Sequence, residues 1–431
     1  MVIEIGVSKL SAKLAVGAAA LAVCALLAFA MLTSFIVGVL TDERVSVSRD
    51  LLAAGSKYAP NSAPLQARLA EAEMAEAERD LPSIEARALR AINLSPWDYN
   101  HRLLLASIKE AKGDRAGAEK TLREALDLAP FNTTIHWQLA NLLLRQGKLA
   151  ASLQEFKTVV TADNSYLPST LDLVWRVSGG RFDAVKDLAD DKPRTKLLLS
   201  QFLLNRSRVA EAGSVFNSID AKARLALPES GAFIDALIAT GELNLARYSW
   251  ASTLSANGTG EADSPALVWN GGFESDILKG FAQFDWTIYR NEYARPGIDT
   301  SASHSGSRSL GVEFTGLDTT RLDGEIKQLV IVRPGARYRL ECYVKTEVLV
   351  TPEGPRVVVA DTASQAEIAT SNPIAPGSSD WRPVVIEFVA PQSAKAVAIK
   401  IKRTPRFSYD DPTRGKIWFD DFTLTEQVIK K

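Results

Sequence analysis

The chain has 431 residues, of which 46% are apolar, and its formal net charge is −1. This length allows two or three domains with sizeable cores. The near-zero charge excludes a polybasic surface, so no nucleic-acid partner is predicted. Cys24 and Cys342 occupy different contexts, the first in an apolar N-terminal stretch and the second in a predicted strand. A disulfide between them is therefore not expected.

An uncharged stretch near the N-terminus predicts a membrane anchor. Residues 14–40 carry no charge, and 27 such residues are enough for a tilted membrane-spanning helix. Lys9 and Lys13 precede the stretch, which places the short N-terminus in the cytoplasm by the positive-inside rule. Residues 1–41 are thus predicted to be an inner-membrane, single-pass anchor, with the rest of the chain in the periplasm or another extracytoplasmic space.

Two processing signals are alternatives to an uncleaved anchor. A cleaved signal peptide has a hydrophobic region only about half as long as this one. Residues 21–24, Leu-Ala-Val-Cys, resemble a lipobox, but Val23 stands where a small residue is expected. The apolar run also continues for sixteen residues past Cys24. The uncleaved anchor is therefore the favoured interpretation.

Residues 42–255 are predicted to form a helical domain, since they are rich in Ala, Leu, Arg and Glu. Within it, residues 87–96 are echoed by residues 121–130, and the terminal Pro96 and Pro130 are 34 residues apart. A fixed period of this length indicates stacked helix pairs.

This period resembles that of tetratricopeptide repeats. Three copies fit residues 65–164, with Gly113 and Gly147 at turns between helices, and residues 179–181, 205–207 and 241–242 predict further turns. The resemblance implies protein partners on the concave face of the first helix of each pair. The residues placed there are Arg68, Arg102, His136 and Asn141.

A linker at 256–267 leads into a β-domain at 268–428. Residues 396–402 alternate between apolar side chains and lysines, as a half-buried strand does. Short β-branched and aromatic runs are separated by Pro-Gly turns such as Pro334-Gly335 and Pro376-Gly377. This pattern predicts a sandwich or jelly roll.

Four motifs of the β-domain resemble the carbohydrate-binding modules of glycanases, within the galactose-binding-like superfamily. They are Asn-Gly-Gly-Phe-Glu at 270–274, Ser-Gly-x-x-Ser-Leu at 305–310, Pro-Gly-x-x-Tyr at 334–338 and Asp420-Asp421. The predicted architecture is therefore multidomain α and β. It comprises a transmembrane helix, an α-helical tetratricopeptide-like solenoid and an all-β jelly-roll sandwich.

The same resemblance implies a structural Ca²⁺ beside the first and last strands. Glu274 with Asp421 or Asp420 would supply carboxylates, and backbone carbonyls near Asn270 and Gly272 would complete an oxygen shell. The alternative is that Glu274 is hydrogen-bonded to a neighbouring strand and that one aspartate ends the sheet in solvent.

Glycan binding requires exposed aromatic rings that stack on sugar rings. Trp286, Trp381 and Trp418 are assigned to structural positions. Four rings in turn-rich segments are the predicted carbohydrate-binding residues, namely Tyr289, Tyr293, Phe407 and Tyr409.

No phosphate loop, zinc-protease motif, Cys-x-x-Cys pair or nucleophile elbow occurs in the sequence. A glycosidase carboxylate pair stays open as an alternative, because such residues are distant in sequence. The sequence therefore predicts a non-enzymatic adaptor, with repeats that bind protein and a jelly roll that binds glycan. By analogy of architecture, it would serve assembly or export of envelope polysaccharide. The alternative is a purely structural scaffold of protein contacts.

Overall fold

The computed structural model describes residues 10–42, 44–258, 266–317 and 319–427. The chain divides into two compact units, Met1–Ala189 and Asp190–Lys431. The boundary lies within the predicted helical domain, so the last helices belong to the same unit as the β-domain.

The first unit begins with a long apolar helix, α1, which spans Leu10–Thr41. Its segment Leu14–Thr41 has a mean hydropathy of 2.5, and only its last turns contact the rest of the unit. By length and composition this helix is able to cross a membrane.

Shorter helices follow α1 in antiparallel pairs. Helices that occupy equivalent places start 34 residues apart, at residues 81, 115 and 149 and again at 99 and 133, so the predicted repeat period is confirmed. Their bounds are Arg49–Tyr58 (α2), Ala63–Met74 (α3), Leu81–Leu94 (α4), Tyr99–Ala111 (α5), Arg115–Leu128 (α6), Thr133–Arg145 (α7), Leu149–Ala162 (α8), Leu167–Val177 (α9) and Phe182–Lys186 (α10).

Capping and small residues explain why these pairs form. The carboxylates of Asp98 and Asp114 accept hydrogen bonds from backbone N–H groups in the first turns of α5 and α6. Gly113 and Gly147 both have positive φ, as the predicted turns require. Buried alanines such as Ala106 let paired helices approach closely.

The second unit opens with five helices, which are Pro193–Leu204 (α11), Val209–Asn217 (α12), Ala221–Ala226 (α13), Glu229–Ala239 (α14) and Leu243–Leu254 (α15). The predicted turns at 205–207 and 241–242 separate α11 from α12 and α14 from α15. Ser207 and Gly241 both have positive φ in these turns.

Within residues 266–317 and 319–427, ten antiparallel strands build a sandwich of two five-stranded sheets. The first sheet has the order β1-β4-β9-β6-β7, and the second has the order β2-β3-β10-β5-β8. The strands are Thr287–Ile288 (β1), Ala294–Asp299 (β2), Ser309–Thr315 (β3), Ile326–Ile331 (β4), Arg337–Val350 (β5), Arg356–Asp361 (β6), Glu367–Thr370 (β7), Gly377–Val389 (β8), Ala396–Lys402 (β9) and Arg414–Glu426 (β10).

The alternation predicted for β9 places Ile399 and Ile401 in the sandwich core and Lys400 and Lys402 on the opposite face. Trp286 is fully buried in the same core. Trp418 is also buried, but it neighbours the core residues Ile417 and Phe419 and therefore faces away from the core.

A tryptophan joins the helices of the second unit to the sandwich. Trp250 on α15 is fully buried, and its indole N–H donates to the carbonyl of Phe281 at 2.7 Å. Its ring meets Trp269 edge-on at 4.8 Å between ring centroids and lies near Phe284. These contacts explain why α11–α15 form one compact unit with the β-domain.

Two ionisable side chains lie near this tryptophan, the half-buried Arg247 and the buried Asp285. The Arg247 guanidinium lies over the rings of Trp250 and Trp269, and burial lowers its pKa to about 10. Burial raises the pKa of Asp285 to about 6, although Arg247 and the backbone N–H of Trp286 act in the other direction. The Asp285 carboxylate is therefore costly to ionise in the folded protein.

We expect Asp285→Asn to change the pH dependence of stability. Because the folded-state pKa of Asp285 exceeds its ordinary value of 3.8, the wild-type protein should lose stability as the pH rises from about 4 to 6. This loss is about 3 kcal/mol for a shift of this size. Urea unfolding at pH 4 and pH 7 should therefore show the variant gaining stability relative to wild type at the higher pH. If the free energy of unfolding changed equally between pH 4 and pH 7 in both proteins, the raised pKa of Asp285 would be contradicted.

Candidate functional site

The four predicted carbohydrate-binding rings lie at one end of the sandwich, here named the aromatic end. It consists of segments 289–293, 319–325 and 403–413, which backbone hydrogen bonds join to one another. Tyr289 and Tyr409 are 66% and 76% exposed, and Phe407 is exposed as well. Tyr293 is half-buried, and its carbonyl accepts a hydrogen bond from the backbone N–H of Thr315.

A buried ion pair holds the segment that carries Phe407 and Tyr409. The Arg403 guanidinium donates to the Asp411 carboxylate at 2.5 Å, and both side chains are fully buried. The Asp411 carboxylate also accepts hydrogen bonds from the backbone N–H groups of Arg406 and Phe407. Burial alone would raise the pKa of Asp411, but these N–H groups and Arg403 together hold it below its ordinary value.

Asn291 organises the segment that carries Tyr289 and Tyr293. Its side-chain oxygen accepts from the backbone N–H of Tyr293 at 2.9 Å and of Ala294 at 2.7 Å. Its amide nitrogen donates to the carbonyl of Arg321 and to the Glu325 carboxylate. Both aromatic segments are thus held by buried or half-buried polar side chains.

The three predicted metal ligands meet at another place, here named the acidic corner. A Cβ atom at Gly272 would lie 3.4 Å from a carboxylate oxygen of Asp421, 3.8 Å from one of Asp420 and 3.9 Å from the Glu274 Cγ. Gly271 beside it cannot carry a side chain, because a Cβ would overlap the carbonyl of Phe422. Close packing against β10 therefore requires the first glycine of the Asn-Gly-Gly-Phe-Glu motif.

The carboxylates of the acidic corner all hold the segment 304–308. Glu274 accepts hydrogen bonds from the backbone N–H groups of Ser307 and Arg308, which lower its pKa. Asp420 accepts from the backbone N–H of His304 at 2.7 Å, and burial raises its pKa. Asp421 accepts from the Ser305 hydroxyl at 2.7 Å.

In this arrangement the acidic corner does not fit a calcium shell. Its oxygens face N–H and O–H donors, and no three His, Cys, Asp or Glu side chains of the described residues are spaced to share an ion. Glu274 is hydrogen-bonded as the alternative predicts, although to a loop and not to a strand. The other part of the alternative is wrong, because Asp420 is fully buried and Asp421 is hydrogen-bonded to Ser305. Calcium at Glu274, Asp420 and Asp421 stays a prediction that a chelator tests.

An aromatic group beside the acidic corner is not evident in the sequence. The His304 ring stacks on Tyr343 with 3.7 Å between centroids, and Trp381 meets it edge-on at 5.7 Å. The Nδ1 atom of His304 lies 2.6 Å from the Asp421 carboxylate. Alternation along β5 could have placed Tyr343 on the outer face of the second sheet, because Cys342 and Val344 are core residues. No sequence feature near His304 indicates that its ring covers Tyr343.

The predicted partner-binding residues of the repeats all have contacts within the chain. Arg102 donates to the carbonyl of Pro96 at 2.6 Å, and the His136 Nε2 lies 2.9 Å from the carbonyl of Pro130. In both cases the partner is six residues earlier, at the loop that starts the helix pair.

The other two predicted residues also have intrachain partners. Arg68 donates to the carbonyls of Thr41 and Val45, at the end of α1. Asn141 donates to the carbonyl of Trp137 and lines a groove of about 290 Å³ beside it. Their role in partner binding, like that of Arg102 and His136, stays a prediction.

No protein-family model and no curated protein matches the chain. Solved structures that it resembles include MamA, at 14% identity and a TM-score of 0.29 over 32% of this chain and 82% of that one. A tetratricopeptide protein of Thermus thermophilus, TTC0263, shares 22% identity with a TM-score of 0.26, over 31% of this chain and 70% of that one. A CBM4 module shares 14% identity with a TM-score of 0.28, over 37% of this chain and 99% of that one. The neighbours thus include tetratricopeptide proteins and carbohydrate-binding modules, and the likeness concerns fold alone.

We expect Glu274→Ala to destabilise the protein by about 1–3 kcal/mol, since donors of segment 304–308 lose their charged acceptor. Glu274→Gln is the matched control, because it keeps an acceptor oxygen and removes the charge. Thermal unfolding of both variants and wild type should be measured with and without a chelator. Equal stability of the alanine variant and wild type would contradict the anchoring role. A chelator-induced loss in wild type that is absent from Glu274→Gln would establish calcium.

Proposed function

We propose that this chain is a membrane-anchored extracytoplasmic adaptor without catalytic activity. Its helical repeats bind a protein partner and its sandwich binds a glycan, in assembly or export of envelope polysaccharide. The observation that carries the proposal is the packing of α1, which favours an anchor over a leader that is removed.

The last turns of α1 belong to the core of the first helix pair. Leu40 is only 5% exposed and packs with Leu52, Leu65 and Leu69. Gly55 on α2 makes room for it, because a Cβ there would lie 2.6 Å from the Leu40 Cδ1. Burial of one leucine stabilises a protein by about 1.5–3 kcal/mol.

Arg68 adds a polar connection at the same place. Its guanidinium donates to the carbonyl of Thr41 at 3.3 Å and to that of Val45 at 2.7 Å. Cleavage near Thr41 would separate Leu40 from its apolar partners. It would also take the carbonyl of Thr41 away from the Arg68 guanidinium. The packing therefore supports an uncleaved helix over a cleaved signal peptide.

The glycan-binding part of the proposal is supported by the aromatic end. Exposed aromatic rings on loops held by a buried ion pair suit stacking on sugars, because the rings need no large rearrangement on binding. Tyr289, Phe407 and Tyr409 have the required exposure.

A purely structural scaffold is the second candidate, and exposed aromatic residues of the repeats agree with it as well as with the adaptor. Trp97 is 81% exposed and Phe131 is 91% exposed, at equivalent positions after Pro96 and Pro130. Exposed aromatic residues of this size are typical of protein-binding surfaces. The two functions differ in whether the sandwich binds a sugar.

The anchor proposal predicts that the mature protein begins at Met1 or Val2 and fractionates with membranes. We expect Leu40→Ala to destabilise the first helix pair by about 2–5 kcal/mol, the usual effect of truncating a buried leucine. Leu32→Ala on the exposed part of α1 is the matched control and should have little effect on unfolding. A soluble mature chain that begins near Thr41 would disprove the anchor.

The glycan proposal predicts that Phe407→Ala or Tyr409→Ala weakens glycan binding by about 1–2 kcal/mol, the scale of one aromatic contact. Tyr248→Ala is the matched control, since Tyr248 is an exposed tyrosine of α15 outside the sandwich. Binding should be measured on a glycan array, with an unfolding curve for each variant. If folded variants of all four predicted rings bind like wild type, the rings are not the sugar site. If wild type binds no glycan at all, the scaffold is the better proposal.

A further inference from the structure

The outer face of the first sheet carries a group of lysines from neighbouring strands. Lys327 on β4 lies directly opposite Lys400 on β9, and Lys400 lies opposite Val358 on β6. All three point away from the core, because Ile326, Val357 and Ile399 beside them are core residues.

The pairing of Lys327 with Lys400 brings two like charges together. Residues directly opposite in an antiparallel pair have Cβ atoms about 5 Å apart, and like charges at such positions destabilise the sheet. The Lys400 Nζ has a neutral partner, the side-chain oxygen of Gln365, at 3.2 Å. Among the described residues, no carboxylate forms an ion pair with Lys327 or Lys400.

The nearby carboxylates form their ion pairs with a third lysine. Asp323 and Glu367 both pair with Lys402, at 3.0 Å and 2.8 Å, and these carboxylates raise the pKa of that lysine. Lys402 therefore has two ion-pair partners, whereas Lys327 and Lys400 have none among the described residues. The three lysines and two carboxylates that line this surface sum to one positive charge.

The lysines line a groove of about 380 Å³, here named the lysine groove. Val358 and Ala360 form its floor. A second groove of about 340 Å³ shares Val358 and Lys402 with it and extends to residues 404–406, immediately before Phe407. The lysine groove thus leads to the aromatic end. Val358 and Ala360 are each only 1% exposed, so the lysines are the part of the groove that a ligand can reach.

We propose that the lysine groove binds an acidic glycan, with a sugar carboxylate between Lys327 and Lys400. This inference rests on the proposed glycan-binding function and names its ligand class. A carboxylate placed there would accept charge-assisted hydrogen bonds from both ammonium groups and would remove their mutual repulsion. A neutral glycan would leave the two charges uncompensated. The neighbouring rings of Phe407 and Tyr409 would stack on the adjoining sugar units.

The test uses the full chain in detergent with four probes. Two are carboxylated polymers, polygalacturonate and alginate, and two are their carboxyl-reduced, neutral counterparts. We expect wild type to bind at least one acidic polymer roughly tenfold more tightly than its neutral counterpart, with affinity that falls as salt rises. Lys327→Gln and Lys400→Gln should each lose most of this preference. Lys416→Gln, an exposed lysine on β10 of the second sheet, is the matched control and should keep it.

A second measurement does not depend on any glycan. Without ligand and at low salt, Lys400→Gln should unfold at the same temperature as wild type or above it, because the substitution removes a like-charge contact. A clear loss of stability would show that Lys400 is neutralised within the fold and would overturn the proposal. Equal binding of acidic and neutral polymers would also overturn it while leaving glycan binding intact. Absence of binding to all four polymers would overturn this proposal, whereas the glycan array decides separately whether the sandwich binds another glycan.

Discussion

The buried pair of Arg403 and Asp411 is the interaction on which the aromatic end depends. The Arg403 guanidinium donates to the carbonyls of Thr320 and Glu353, in two other connections of the sandwich, as well as to Asp411. The Asp411 carboxylate in turn fixes the backbone before Phe407. One side chain thus connects three loops that would otherwise be independent. Removing one partner of such a pair typically costs about 3–5 kcal/mol, because the other charge stays buried.

In this arrangement, the residues that hold the loops in place differ from the residues that we propose to contact a ligand. The polar groups that shape the loops are buried, while the rings of Tyr289 and Tyr409 project into solvent. The outer face of the first sheet shows a similar difference. Lys402 forms ion pairs with two carboxylates there, whereas Lys400 forms none among the described residues. In both places polar groups that the fold pairs internally lie beside the side chains that we propose to contact a ligand.

Local sequence patterns were sufficient for the fold class. The uncharged run of α1, the 34-residue offset between helix pairs and the alternation of β9 each depend on neighbouring residues, and the structure confirms the elements they predict. Features that depend on contacts between residues far apart in the sequence could not be predicted. The facing of Lys327 and Lys400 is set by strand register, and the stacking of His304 on Tyr343 by a loop that folds over a strand. Likewise, Trp250 joins α11–α15 to the sandwich through partners beyond the linker.

The shared core of α1 and the first helix pair has a mechanical consequence. Leu40 packs against α2 and α3, and Arg68 on α3 donates to the carbonyls of Thr41 and Val45, so the end of the apolar helix is joined to the first helix pair. For the anchor we propose, the membrane helix and the first repeat would tilt and rotate together as one rigid unit. A turn of the membrane helix about its axis would then swing the first repeats through the same angle, so partner binding there would be sensitive to how the anchor packs in the bilayer.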